Sequence, residues 1–171
     1  INLADKGYDR RSLLSAVSRP QAMGSLLPEG LEVIKRGEAR GLLLGGTLTQ
    51  LVASLSTPYA FAPTSDYVLL LDDVEELPYR LDRMLTQLLQ AGVLRRAVAV
   101  VCAEFPGCQD HHGREARDVV AERLSGFSGP ILFGFPTGHT AGAVWTVPLG
   151  LTVSVQTSPR PVVIVEENAV R

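Results

Sequence analysis

The sequence predicts an α/β domain built on a mixed β-sheet flanked by helices, and three observations carry that expectation. Two uninterrupted apolar runs, Tyr67 to Leu71 and Ala97 to Cys102, read as strands buried on both faces. Between them lies the clearest amphipathic helix of the chain, opened by Pro78, with Leu81, Met84, Leu85, Leu88 and Leu89 on one face and Gly92 as its stop. No internal repeat or low-complexity stretch divides the chain, so one domain over residues 1–171 is the economical reading.

The remaining elements follow from period and punctuation. Asp9 is an N-cap for a helix from Arg10 to Val17, and Pro20, Gly24, Pro28 and Gly30 mark the loop after it. Leu31 to Lys35 and Glu38 to Leu44 read as strands joined at Arg36-Gly37. Gly45-Gly46-Thr47 then turns the chain into a helix with Leu48, Leu51, Val52 and Leu55 on its apolar face, and Thr47 is the expected N-cap. A helix from Gly113 to Leu124 precedes a strand at Ile131 to Phe133, and strands at Leu151 to Val155 and Val162 to Val165 close the chain.

Composition narrows the function classes. In 171 residues, 46% hydrophobic and 20% charged, there is enough apolar surface for an independent core. Lys+Arg 16 against Asp+Glu 18 gives a net charge of -2, without the basic excess that binding a phosphate backbone needs, so no nucleic-acid partner is expected. No apolar run reaches a bilayer span, and Ile1 to Arg11, with Asp5, Lys6, Asp9, Arg10 and Arg11, lacks the apolar core of a secretory signal, so no membrane partner is expected. Two cysteines are too few for a disulfide framework and fit a reducing, cytoplasmic setting.

Four groups of residues could carry chemistry. Asp72 and Asp73 end a buried strand, where a rigid backbone delivers side chains to a variable loop; with Glu75 and Glu76 they equally fit a solvated acidic loop before a helix N-terminus. His139 lies in Phe133-Gly134-Phe135-Pro136-Thr137-Gly138-His139-Thr140-Ala141-Gly142, where flanking glycines permit the tight turns that suit a general base, although a surface histidine has the same appearance. Cys102, Cys108, His111 and His112 are metal-ligand types, but their spacing matches no common zinc pattern and Cys102 sits in a buried strand, so no metal is expected. Gly45-Gly46-Thr47 before a helix hints at an anion cradle, without the Lys and longer glycine spacing that would make it one.

Taken in order, Gly45-Gly46-Thr47-Leu48, the block from Leu71-Asp72-Asp73-Val74-Glu75-Glu76-Leu77-Pro78-Tyr79-Arg80 to Leu88, Gly134-Phe135-Pro136-Thr137-Gly138-His139 and Pro148-Leu149-Gly150 resemble the C-terminal half of the LD-carboxypeptidases, a family that includes the microcin C immunity peptidases. The resemblance implies a serine peptidase with a Ser-His-Glu triad, no cofactor and a homodimer. His139 matches the family histidine, and the family glutamate falls on Asp72. It further implies a muropeptide tetrapeptide substrate that loses its terminal D-alanine in peptidoglycan recycling.

The sequence departs from the family pattern in three places. No serine stands in the family's Gly-x-Ser-Asp context, so the nucleophile is expected from an N-terminal domain outside this chain. Asp72 shortens the acid by about 1.5 Å. Thr47 replaces a usual asparagine at a turn implied to touch substrate. Arg80, with Arg83, could meet a terminal carboxylate, or simply pair with Glu76 and Asp82 on its helix. Two other functions fit the same residues: an immunity-type peptidase acting on a peptide-nucleotide antibiotic, which would need a stacking aromatic such as Trp145 or Tyr79, and a non-catalytic binding module.

Overall fold

The computed structural model describes residues 7–170. Strand β4 (Tyr67–Asp72) is buried at every position, which is why its sequence is continuously apolar until the final aspartate. It lies inside an eight-stranded mixed sheet. Strands β3 (Glu38–Thr47), β4, β5 (Ala97–Ala103) and β6 (Ile131–Phe135) run parallel at the centre. Strands β7 (Thr152–Gln156), β8 (Val162–Val165) and β1 (Gly24–Leu26) extend one side in antiparallel pairs, and β2 (Glu32–Lys35) pairs antiparallel with β6 at the opposite edge.

Alternation along the strands divides the interior into two clusters. Tyr67, Leu69 and Leu71 join Leu48 and Leu51 of α2 (Leu48–Ser54), Leu81, Leu85 and Leu88 of α3 (Pro78–Gln90), and Val119 and Val120 of α4 (Ala116–Arg123). Val68 and Leu70 face the other way, into a cluster with Val101, Leu132, Phe135, Val153 and Val163. A short 3-10 turn, Val93–Arg96, leads from Gly92 in the left-handed conformation (φ 75°) into β5. No helix among the described residues is long and apolar enough to cross a membrane.

Several boundaries differ from the sequence expectation for identifiable reasons. The 20–30 segment, expected to be loop, contains β1, whose three residues are too few to show a period and which owes its pairing to β8. The strands flanking Arg36-Gly37 are chain neighbours but not sheet neighbours: β2 pairs with β6, while β3 lies between β4 and β7. Gly37 makes the crossing, where a Cβ would stand 3.3 Å from the Pro130 ring before β6, and donates its N–H to Thr157 Oγ1 after β7. The helix expected from Gly113 starts at Ala116, because Asp110 to Gly113 forms a turn in which the Asp110 carboxylate accepts the His112 and Arg114 N–H groups. Its N-cap, Glu115, donates its N–H to the Asp118 carboxylate. The first helix, α1 (Arg10–Ser18), is capped by Asp9, whose carboxylate accepts the Ser12 N–H at 2.6 Å.

Candidate active site

The parallel register brings the C-terminal ends of β3 and β4 side by side, with Thr47 opposite Asp72. That close approach depends on Gly45, where a Cβ would stand 2.0 Å from the Leu70 carbonyl oxygen. Thr47 occupies the N-cap position of α2 but makes no capping hydrogen bond with its side chain, contrary to expectation. Asp73 does that work: its carboxylate accepts the Thr49 N–H at 2.9 Å and the Thr49 hydroxyl at 2.8 Å, and its other oxygen accepts the Val74 N–H at 3.0 Å. The two adjacent acids therefore differ in role, since Asp73 is consumed by backbone and hydroxyl donors at the start of α2.

Asp72 is 5% exposed and turns to the loop that follows β6. His139 Nδ1 lies 2.7 Å from Asp72 Oδ2, and the His139 backbone N–H donates to Oδ1 at 3.1 Å. One carboxylate thus holds both the main chain and the ring of the same residue. Burial pushes the Asp72 carboxyl above its ordinary value, and the hydrogen bonds from His139 pull it back. A carboxylate only accepts, so the proton of this pair sits on Nδ1 and the lone pair on Nε2. The imidazole side chain is 44% exposed, so a basic nitrogen is presented on a surface-accessible ring.

The surrounding loops are stitched in place. Gly138 adopts φ 67°, and a Cβ there would stand 2.4 Å from Asp72 Oδ2, so only glycine lets the histidine loop pass so close to the acid. The loop closes on itself where the Trp145 N–H donates to the Pro136 carbonyl at 2.7 Å and the Thr137 hydroxyl to the Trp145 carbonyl at 2.9 Å. After β4, the Glu75 N–H donates to the Pro106 carbonyl at 2.9 Å and the Glu76 N–H meets Cys108 Sγ at 3.3 Å. Glu104, just beyond β5, accepts from the Thr140 hydroxyl and the Ala141 N–H. The sequence reading passed over Glu104, although it is a strand-end acid like Asp72.

The other sequence candidates have partners of their own. Arg80, in the first turn of α3, pairs with Glu76 at 3.4 Å and lies 5.9 Å from the Tyr79 ring centroid. Asp82 pairs with Arg123 rather than Arg83, and Arg83 stands 6.0 Å from the same Tyr79 ring. Cys102 and Cys108 are buried free thiols, pushed up by burial to about 12 and about 11, while His111 and His112 are exposed, their rings 4.0 Å apart and tilted by 43°. Among the described residues no three His, Cys, Asp or Glu side chains are placed to hold a metal ion.

Residues 40–155 match the family described as LD-carboxypeptidase C-terminal domain. The chain belongs to that family. A Streptomyces coelicolor protein provisionally named a carboxypeptidase (SCO6489) is 41% identical over 151 residues, 88% of this chain and 47% of its own length. A Bacillus subtilis protein named as a probable murein peptide carboxypeptidase is 31% identical over 141 residues, 79% of this chain and 44% of its own length. The chain thus spans about half the length of the curated relatives it matches. Among solved structures, the microcin C7 self immunity protein MccF in complex with aspartyl sulfamoyl adenosine shares the fold, with a TM-score of 0.79 at 21% identity over 94% of this chain and 55% of its own. This LD-carboxypeptidase domain carries its acid-histidine pair at the mouth of the parallel strands, where α/β sheets place their sites.

Proposed function

We propose that this domain supplies the general base and its orienting acid to a serine-type LD-carboxypeptidase that removes the terminal D-alanine from a murein tetrapeptide. The single observation that carries the reading is the 2.7 Å contact between His139 Nδ1 and Asp72 Oδ2, made by an imidazole that is itself accessible. Membership of the family and the murein peptide carboxypeptidase name of the Bacillus subtilis relative support the substrate class.

In this reading the nucleophilic serine belongs to a domain outside the 171 residues. His139 Nε2 takes the serine proton as the hydroxyl oxygen attacks the carbonyl carbon of the L-to-D peptide bond, then returns that proton to the departing D-alanine amine. Water repeats the sequence on the acyl-enzyme, with His139 again as base, and restores the serine. Asp72 fixes the tautomer and stabilises the imidazolium formed in each half. Thr47, beside Asp72 at the strand ends, and Arg80, at the start of α3, serve as substrate contacts, the guanidinium facing the terminal carboxylate. Peptidoglycan recycling in the cytoplasm by a homodimer completes the proposal.

The test is release of D-alanine from a purified murein tetrapeptide by this chain joined to its nucleophile-bearing domain, followed by mass spectrometry. The expected result is loss of one D-alanine, with none released after His139→Ala. A peptidyl-adenylate amide assayed in parallel separates the immunity-type activity: hydrolysis of that compound alone would replace the murein assignment. Hydrolysis of neither would leave the binding-module reading.

A further inference from the structure

We propose that Glu104 is a positioning residue for His139, anchoring the histidine loop one and two residues beyond the Asp72 contact. The proposal rests on the reading of His139 as the general base. The end of β4 supplies Asp72 and the end of the neighbouring β5 supplies Glu104, so two adjacent parallel strands each place one carboxylate against the loop that leaves β6. Asp72 grips residue 139. Glu104 grips residues 140 and 141, because its Oε2 alone accepts both the Thr140 hydroxyl and, at 2.7 Å, the Ala141 N–H. Thr140 Oγ1 in turn accepts the Gly142 N–H at 3.3 Å, which extends the anchorage through the second glycine of the loop.

The anchorage matters because of what flanks the histidine. Gly138 and Gly142 are conformationally permissive, and Ala141 is an exposed residue. Held only by Asp72, residues 140–142 would regain their backbone freedom, and the 2.7 Å ring contact would be one conformation among many. A second carboxylate bound two residues downstream removes that freedom without touching the imidazole. Charge-assisted acceptance of two donors by one oxygen is a strong and directional way to do so.

The geometry makes a specific substitution series informative. A glutamine carbonyl at position 104 keeps an acceptor at the same reach, whereas Glu104→Asp withdraws it by about 1.5 Å and Glu104→Ala removes it. Thr140→Val removes only the hydroxyl donor and leaves Glu104 in place.

The experiment is 15N NMR of the ring nitrogens of His139 in the 171-residue chain, with amide exchange at Ala141 measured on the same samples. The wild-type chain should show the Nδ1–H tautomer, and Glu104→Gln should retain it. Glu104→Ala, Glu104→Asp and Thr140→Val should shift the ring toward the Nε2–H form. In the two Glu104 variants that lose the acceptor, Ala141 exchange should quicken about tenfold or more, as expected for loss of a hydrogen bond to a charged group. Lowered melting temperature in Glu104→Ala with wild-type ring signals would overturn the proposal, since it would show a structural role only. Wild-type signals in Thr140→Val, a Glu104→Gln ring as displaced as that of Glu104→Ala, or a wild-type ring lacking Nδ1–H would each overturn it as well. None of these readouts uses peptidase activity, so an intact ring signature in an enzyme that releases no D-alanine would count against the proposed function and not against Glu104.

Discussion

Replacing Gly138 by alanine tests how tightly the histidine loop is fitted to the acid. An alanine Cβ would lie 2.4 Å from Asp72 Oδ2 and 2.5 Å from Cγ, at a backbone φ of 67°. The left-handed conformation costs an L-residue about 1–2 kcal/mol. To reach ordinary contact distance the carboxylate must retreat by about 1 Å, which breaks the 2.7 Å bond to the imidazole. A hydrogen bond to a charged group contributes about 1.5–3 kcal/mol. Asp72 has little room to retreat, because it is 5% exposed and closes the buried strand β4. The two effects together predict a loss of about 3–4 kcal/mol, or about 10 °C in melting temperature for a domain of this size. Circular dichroism melting of the isolated chain and the ring-nitrogen shifts of His139 give the answer. Melting within about 1 °C of wild type, with unchanged ring signals, would show that the loop tolerates a Cβ beside the acid.

Burial raises Asp72 in the folded chain, so on raising the pH the unfolded chain loses this proton first and ionisation of Asp72 opposes folding. Asp72→Asn should therefore gain stability relative to wild type as pH rises through the carboxylate range; urea titrations that show it losing ground would contradict this. Asp73→Ala strands the Thr49 N–H, the Thr49 hydroxyl and the Val74 N–H at a site 3% exposed, and should lower stability by about 3 kcal/mol, while Asp73→Asn retains part of it. Arg80→Ala, on the exposed first turn of α3, should raise KM for the tetrapeptide with little change in kcat and leave the melting temperature within about 1 °C, since its pair with Glu76 is solvent-exposed; a fall in kcat at constant KM would remove Arg80 from the substrate contacts.

What the sequence made legible were the features governed by local pattern. The buried run ending abruptly at Asp72, the Pro78-opened helix and the glycine-flanked His139 each announce themselves within a few residues, and the fold brings Asp72 and His139 together across 67 residues. The features that escaped were set by partners distant in sequence. Strand β1 exists because β8 offers it an edge, and β2 reaches β6 rather than the strand next to it in the chain. Thr47 has the residue type of an N-cap, but Asp73 arrives from the neighbouring strand and takes the donor instead. Glu104 looks like an ordinary residue after a strand until the loop carrying Thr140 and Ala141 is folded over it.

The pairing of Asp72 with His139 as acid and base is tested most directly by the turnover number of Asp72→Asn, measured as D-alanine release by this chain joined to its nucleophile-bearing domain. An asparagine keeps the shape but turns a donor toward the ring, forcing the proton onto Nε2, where the lone pair is needed. The expected result is a fall in kcat of about four orders of magnitude, the loss a wrong tautomer produces in other triads, with activity retained by Asp72→Glu. A near wild-type kcat for Asp72→Asn would contradict it.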